Sequence, residues 1–313
     1  MSVTGRLAPS PTGLLHLGHA RTFLIAWWYT RSRGGRMLLR IEDLDGQRAS
    51  QRFVDAALCD LEWLGMDWDG DPSIQSAHLE RFEAAIESLL ESRKAYACVC
   101  RRGDLATAQN APHAGDREPR YPGTCRGRFA SVRDAERESG RPAGVRLVVP
   151  PGAVTIHDVI AGDFTADVAA EVGDFLIARR GGSPAYQLAV VVDDAAEGVT
   201  EVVRGADLLS SSVRQWHVRR ALGLSHPSFA HAPLVTDASG RRLAKHADDL
   251  ALAELRERGA DPRAIVRWVA ENTGMPTGEL ASASELLPVF RLENVPRGEL
   301  RLDAAAIAEI LGS

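Results

Sequence analysis

Apolar residues recur every three to four positions between 17 and 33, where Leu17, Ala20, Leu24, Trp27 and Trp28 form one stripe that stops at Gly34-Gly35. That period predicts a helix ended by glycine. Ahead of it, "VTGRLAPS" begins as a short strand and turns at Pro9 and Pro11. Behind it, "RMLLRIEDLD" is an apolar run of buried-strand type whose far end carries Glu42, Asp43 and Asp45. Two further helices are predicted at about 50–65 and 77–94. A β-α-β-α opening of this kind predicts a parallel α/β sheet.

Regularity is lost between Cys98 and Ala143, a stretch rich in Gly, Arg, Pro and Asp that holds three of the four cysteines and reads as an insertion. The runs "GVRLVV", "AVTIHDV" and "DFLIARR" then predict short strands and an α+β middle. "AYQLAVVVDD" and "VTEVVRGADLL", each an apolar run ending in charge, predict the return of the sheet, followed by a helix at about 211–222. From Asp248 onward "DLALAELRERG", "PRAIVRWVAENTG" and "AAAIAEIL" predict helices. The expected organisation is a first half of the sheet domain over 1–96, the insertion over 97–180, a second half over 181–246 and a helical region over 247–313.

Composition changes this picture little. At 313 residues, with 45% hydrophobic and 25% charged positions, the chain has room for about two domains with a well-buried core. "FLIAWWY" is too short to span a bilayer and no secretory signal opens the chain, so a cytoplasmic protein with no membrane partner is expected. In that reducing compartment the cysteines are thiols or metal ligands. Cys59, on the apolar face of a predicted helix, is expected in the core. A net charge of −5 supplies no global attraction to nucleic acid, although a local basic face can still bind phosphate. Among 37 basic residues only Lys94 and Lys245 are lysine.

The chemistry begins at "SPTGLLHLGHAR", where His16 and His19 stand three apart at the predicted mouth of a helix. Residues at that spacing share a helix face. The spacing alone also fits two ordinary helix imidazoles. Position sharpens it: a strand, a turn and a helix N-terminus at a sheet edge make a ready site for phosphate.

"RLAPSPTGLLHLGHAR" resembles the HIGH region of class I aminoacyl-tRNA synthetases, and its "R-x-A-P-S-P-T-G" lead-in resembles the glutamyl branch. "RIEDLD", "YQLAVVVDDAAEGVTEVVRGADLL" and "RRLAKH" match that branch in order and rough spacing, over about residues 3–250. "GRRLAKH" resembles the KMSKS loop, with Arg242 and Ala244 departing from it and Lys245 retained. The resemblance implies a Rossmann-type parallel sheet with a zinc-bearing α+β insertion and a helical stem-contact region. It also implies carboxylate activation by ATP and Mg²⁺. His16, His19 and Lys245 would be the catalytic phosphate donors, with Thr12 and Gly13 also at ATP. Arg6, Leu7, Ala8, Pro9, Ser10, Glu42, Tyr186 and Arg204 would contact glutamate. Arg6 suits the side-chain carboxylate and Glu42 the α-ammonium.

Cys98 and Cys100 form a C-x-C, and Cys125 follows in "RYPGTC". Three thiolates need one more ligand for a tetrahedral structural zinc. The resemblance names Tyr121, whereas ligand chemistry alone favours His113. The residues after the KMSKS-like loop are expected to suffice for stem-contacting helices and for no anticodon reader. That expectation, with "RGADLL" where a full synthetase more typically reads "RGEDH", resembles the glutamyl-Q tRNA(Asp) synthetases. It implies glutamate activation without tRNA, then transfer to queuosine of tRNA(Asp). The insertion arginines Arg101, Arg102, Arg117, Arg120, Arg126 and Arg128 are candidate phosphate contacts, and a monomer is expected. The alternatives are a truncated enzyme charging tRNA(Glu), a nucleotidyltransferase-type ligase, or a non-catalytic RNA-binding relative.

Overall fold

A computed structural model describes residues 2–101, 103–104, 120–237, 240, 251–276 and 281–311. Lys245 and the rest of "RRLAKH", with His113, Arg102 and Arg117, lie outside the described residues.

Strand β1 (Thr4–Leu7) leads through the Pro-Thr-Gly turn into helix α1 (Leu17–Arg31), and β2 (Arg36–Ile41) returns parallel to β1 in the register Arg6↔Leu38. Helix α1 lies so close on β1 that a Cβ at Gly5 would stand 2.1 Å from the Thr30 hydroxyl, so only glycine fits there. Helix α2 (Gln51–Trp63) precedes the short β3 (Ser73–Ile74), which pairs parallel with β2, and α3 (Leu79–Glu91) follows. Far along the chain, β9 (Glu201–Gly205) and β10 (Ser228–Ala232) pair parallel, with His231 opposite Arg204. β9 runs beside β1, joined where the Thr200 N–H donates to the Thr4 carbonyl at 2.9 Å. From that seam the chain builds outward one way through β2 and β3 and the other way through β10. This is the switch point at which open α/β sheets bind ligands.

Between these halves, β4 (Ala95–Cys98), β5 (Gly144–Leu147) and β8 (Leu176–Ala178) form a separate antiparallel sheet, with α4 (Val132–Ser139) against β4. The hairpin of β6 (Val154–Asp158) and β7 (Gly162–Ala166), followed by the short α5 (Val168–Glu171), lies in the same stretch of chain. It extends the other sheet instead, through Asp158 opposite Phe229 on β10. A last group comprises β11 (Val235–Thr236) paired with β12 (Leu300–Arg301), and helices α8 (Leu252–Glu257), α9 (Pro262–Glu271) and α10 (Ala304–Leu311).

Two expectations are corrected. "AYQLAVVVDD" is not a strand; Tyr186–Ala196 is helix α6, followed in the same layer by α7 (Leu209–Leu222). All seven residues from Leu188 to Asp194 are buried, so this helix is enclosed around its whole circumference and shows no amphipathic period. Cys59 is exposed, and its neighbour Asp60 occupies the buried face of α2. Lys94, one of the two lysines, caps α7 by donating to the Ala221 carbonyl at 2.6 Å.

Candidate active site

A cavity of about 630 Å³ opens at the seam between β1 and β9. Much of its wall is made by the carboxyl ends of strands: Ala8, Pro9 and Ser10 follow β1, Glu42 follows β2, Arg204 and Gly205 end β9, and Pro233 follows β10. Arg6, Gly13, His16, His19 and Tyr186 also line it. Thr12 instead lines an adjoining cavity of about 220 Å³ that shares Ser10, Glu42 and Tyr186. Leu7 packs its side chain into the core and lines neither.

At the mouth of α1, His16 is the N-cap. Its Nδ1 accepts from Gly18 N–H at 3.1 Å, while His19 Nδ1 accepts from His16 N–H at 3.2 Å. An Nδ1 that accepts carries no hydrogen, so each neutral imidazole holds its proton on Nε2. The rings lie 3.8 Å apart, beside the dipole end of α1. Both flanks of the "RRLAKH" segment reach this point: Val235 lines the cavity, and Leu252 N–H donates to the Leu15 carbonyl at 2.8 Å.

The floor is charged. Arg6 and Arg204 are both 5% exposed, and Glu42 stands with them. Beneath them Arg40, fully buried, donates to Asp194 and Glu197 at 2.7 Å and to Glu42 at 3.3 Å. Asp194 also faces Arg6 at 3.5 Å and Arg219 at 3.6 Å. Burial would raise the Asp194 carboxyl, but Arg40, Arg6 and Arg219 more than offset it and hold it low. For Glu42 burial wins, and its carboxyl is raised despite Arg40 and Arg6. A further positive charge beside Glu42 would favour its ionised form. Burial likewise raises the Tyr186 phenol, keeping it a donor. Arg204 is held from behind: Nε donates to His231 Nε2 at 2.9 Å and Nη2 to Ser212 Oγ at 2.7 Å. Arg40, Asp194, His231 and Ser212 carry no sequence signal of their own. "VVVDD" and "RIED" contained two of them, but nothing in those strings tells a buried carboxylate or guanidinium from a solvated strand end.

Residues 2–298 match the family described as class I tRNA synthetases (E and Q), catalytic domain. The chain belongs to that family. It is 43% identical to a glutamyl-Q tRNA(Asp) synthetase of Rhodopirellula baltica over 91% of this chain and 89% of that one. A protein of the same name from Symbiobacterium thermophilum is 41% identical over 98% of both chains. Among solved structures, a glutamate tRNA ligase from Elizabethkingia meningosepticum in complex with its amino acid superposes with a TM-score of 0.83 at 27% identity, covering 98% of this chain and 68% of that one. As a class I synthetase the protein is a ligase enzyme, with ATP, glutamate and tRNA supported as its partners. No helix among the described residues is long and apolar enough to cross a membrane.

The synthetase's second cluster lies at the end of β4. The sulfurs of Cys98, Cys100 and Cys125 all lie within 4.8 Å of one another. The Tyr121 hydroxyl stands 3.4 Å from Cys98 Sγ and 3.7 Å from Cys100 Sγ, and accepts from Cys125 N–H at 2.9 Å. Three sulfurs and an oxygen converging at these separations fit a tetrahedral zinc. Arg146 donates to Cys98 Sγ at 3.2 Å and lays its guanidinium 3.7 Å over the Tyr121 ring. Burial would raise the Cys98 thiol, but Tyr121 and Arg146 more than offset it; at Cys100 burial and Cys98 outweigh Tyr121 and push the thiol up to about 12.

Of the insertion arginines, Arg126 is committed to Asp174 at 2.8 Å, Arg120 to the Ala169 carbonyl at 2.9 Å, and Arg128 lies over Phe129.

Proposed function

We propose that this synthetase activates glutamate with ATP without needing tRNA, and then transfers it to the cyclopentenediol of queuosine at the wobble position of tRNA(Asp). The observation that carries the substrate is charge complementarity. Two buried guanidiniums, Arg6 and Arg204, and the Glu42 carboxylate face a single cavity that the exposed Asp207 also lines, and those three match the two carboxylates and one ammonium of glutamate. In this reading Arg6 takes the side-chain carboxylate in a forked pair, Glu42 takes the α-ammonium, and Tyr186 and Arg204 fix the remaining groups.

The activated oxygen belongs to the α-carboxylate. It attacks the α-phosphorus of ATP, the bond to the bridging oxygen breaks, and pyrophosphate leaves with that electron pair. No proton has to be removed, so positioning and charge stabilisation carry the step. His16 and His19 donate from Nε2 toward the phosphates, Lys245 adds a point charge, and Mg²⁺ arrives with ATP. A hydroxyl of the acceptor diol then attacks the glutamyl carbonyl carbon, the bond from that carbon to the phosphate oxygen breaks, AMP leaves with the electron pair, and the hydroxyl proton passes to the released phosphate or to water. The cysteine cluster with Tyr121 would hold one structural zinc that orders the insertion.

Queuosine as acceptor is supported by the two relatives of that name, each aligned over nearly its whole length. A second reading is favoured by a 40% identical glutamate–tRNA ligase from Methylorubrum extorquens, of which this chain covers 65%. It shares the activation step and differs in the acceptor. Transfer of labelled glutamate with ATP, compared on tRNA(Asp) with and without queuosine and on tRNA(Glu), separates them. Label only on queuosine-containing tRNA(Asp) is expected; label on tRNA(Glu) would overturn the acceptor assignment.

A further inference from the structure

Behind Arg204 lies a chain of three polar side chains that the activation chemistry does not use. His231 is 1% exposed, and its Nε2 accepts from Arg204 Nε at 2.9 Å while its Nδ1 meets Asp158 Oδ2 at 2.5 Å. Because arginine only donates, Nε2 must be unprotonated, and the ring hydrogen must sit on Nδ1 facing Asp158. Ser212 Oγ, 3.3 Å from the same Nε2, accepts from Arg204 Nη2. Two of the three nitrogens of Arg204 are thereby committed. Nη1 is buried with no hydrogen-bond partner, on a residue that lines the cavity. A buried donor left unpaired is costly, and a ligand carboxylate is the group that would satisfy it.

Asp158 is itself locked. Its Oδ1 accepts three backbone N–H groups, from Ile160 at 3.0 Å, Ala161 at 2.7 Å and His231 at 3.1 Å. Oδ2 can therefore do nothing but face the imidazole.

We propose that Asp158 and His231 are positioning residues for glutamate recognition: Asp158 fixes the Nδ1–H tautomer of His231, whose Nε2 then orients Arg204 so that Nη1 meets a carboxylate of the substrate. The proposal rests on the glutamate reading of the cavity. Burial keeps His231 neutral by lowering its pKa, in agreement with an accepting Nε2.

Asp158→Asn tests this with almost no change of shape. The three N–H donors on Oδ1 force the amide oxygen to stay there, so the amide nitrogen faces His231 and donates to Nδ1. The ring proton must then move to Nε2, where it opposes the Arg204 N–H. The expected result is a rise in the KM for glutamate of about ten- to a hundredfold in glutamate-dependent ATP–pyrophosphate exchange, with the KM for ATP near wild type. Asp158→Asn should add nothing further in an Arg204→Lys background, which lacks the Nε partner. Nitrogen-15 NMR of the imidazoles reads the tautomer directly: Nδ1–H in the wild type and Nε2–H in Asp158→Asn. A wild-type His231 carrying its proton on Nε2 would overturn the proposal, even if the variant failed to fold. So would a folded Asp158→Asn with an unchanged KM for glutamate while wild-type exchange depends on glutamate. Wild-type exchange indifferent to glutamate would instead overturn the substrate reading, and this proposal with it.

Discussion

His16 and His19 are tied together through the same ring atom: each Nδ1 accepts a backbone N–H of the first turn of α1, from Gly18 at 3.1 Å and from His16 itself at 3.2 Å. The cap of the helix and the tautomer of both imidazoles are thus one arrangement. The turn that starts α1 also determines which nitrogen of each ring can donate.

His19→Ala is expected to lower glutamate-dependent ATP–pyrophosphate exchange by about 10²–10³-fold while leaving the far-UV spectrum unchanged. Lys245→Ala should lose a comparable factor. Near-normal exchange in both variants would remove the phosphate-donor roles.

Gly18 is needed for space and not for its backbone angles. A Cβ there would stand 3.0 Å from His16 Cε1 and 3.1 Å from its Nδ1. Gly18→Ala should therefore displace the His16 ring and cost activity out of proportion to stability. Matched exchange assays and thermal melts would show this as a large fall in kcat with a Tm shift of only a few degrees, about 1 kcal/mol or less.

The cysteine cluster predicts about one zinc per chain by elemental analysis, lost in Cys98→Ser. Metal loss should also loosen β4, β5 and the segment carrying Tyr121 and Cys125, seen as faster hydrogen exchange there. Finding no metal in the protein as purified from zinc-replete cells would leave the four converging side chains without a purpose.

Asp60 is pushed up to about 6 by burial, only partly offset by Arg256 at 3.4 Å, and its Oδ2 has no hydrogen-bond partner. Its folded pKa lies above the ordinary 3.8, so between about pH 4 and 6 the folded state binds more protons than the unfolded one. Stability contributed by the protonated carboxyl is then lost as pH rises through that window. Asp193, also pushed up to about 6 by burial, has the same sign. Asp60→Asn should stabilise the protein near pH 8 by about 1–3 kcal/mol and flatten part of the slope below pH 6. Urea denaturation at the two pH values checks it; equal stability gains at both would refute the linkage.

The opening β1-α1-β2 unit was readable from the chain because neighbouring residues write its period: a stripe ending at Gly34-Gly35, then an apolar run ending at Glu42. The cysteine pattern was readable for the same reason, with Cys98 and Cys100 separated by a single residue at the end of β4. Tyr186–Ala196 was misread because enclosure by the core on every side erases the contrast that separates a helix from a strand. Cys59 was misjudged because exposure on α2 depends on what packs against it, and the buried position beside it is taken by Asp60, whose partner Arg256 is 196 residues away.

Local sequence therefore sufficed for most of the elements, Tyr186–Ala196 excepted, for bringing His16, His19 and Glu42 forward as candidates, and for the family resemblance that joined them. The wall behind Arg204 needed the folded chain. Arg204, His231 and Asp158 lie on β9, β10 and β6, the first pair 27 positions apart and the second 73. No spacing rule links such positions. They become neighbours because adjacent parallel strands run about 4.8 Å apart, which sets Arg204 opposite His231 and brings Asp158, opposite Phe229, within one side-chain step of it. Burial then requires every donor in the row to find an acceptor, and the one that does not, Nη1 of Arg204, belongs to a side chain lining the substrate cavity.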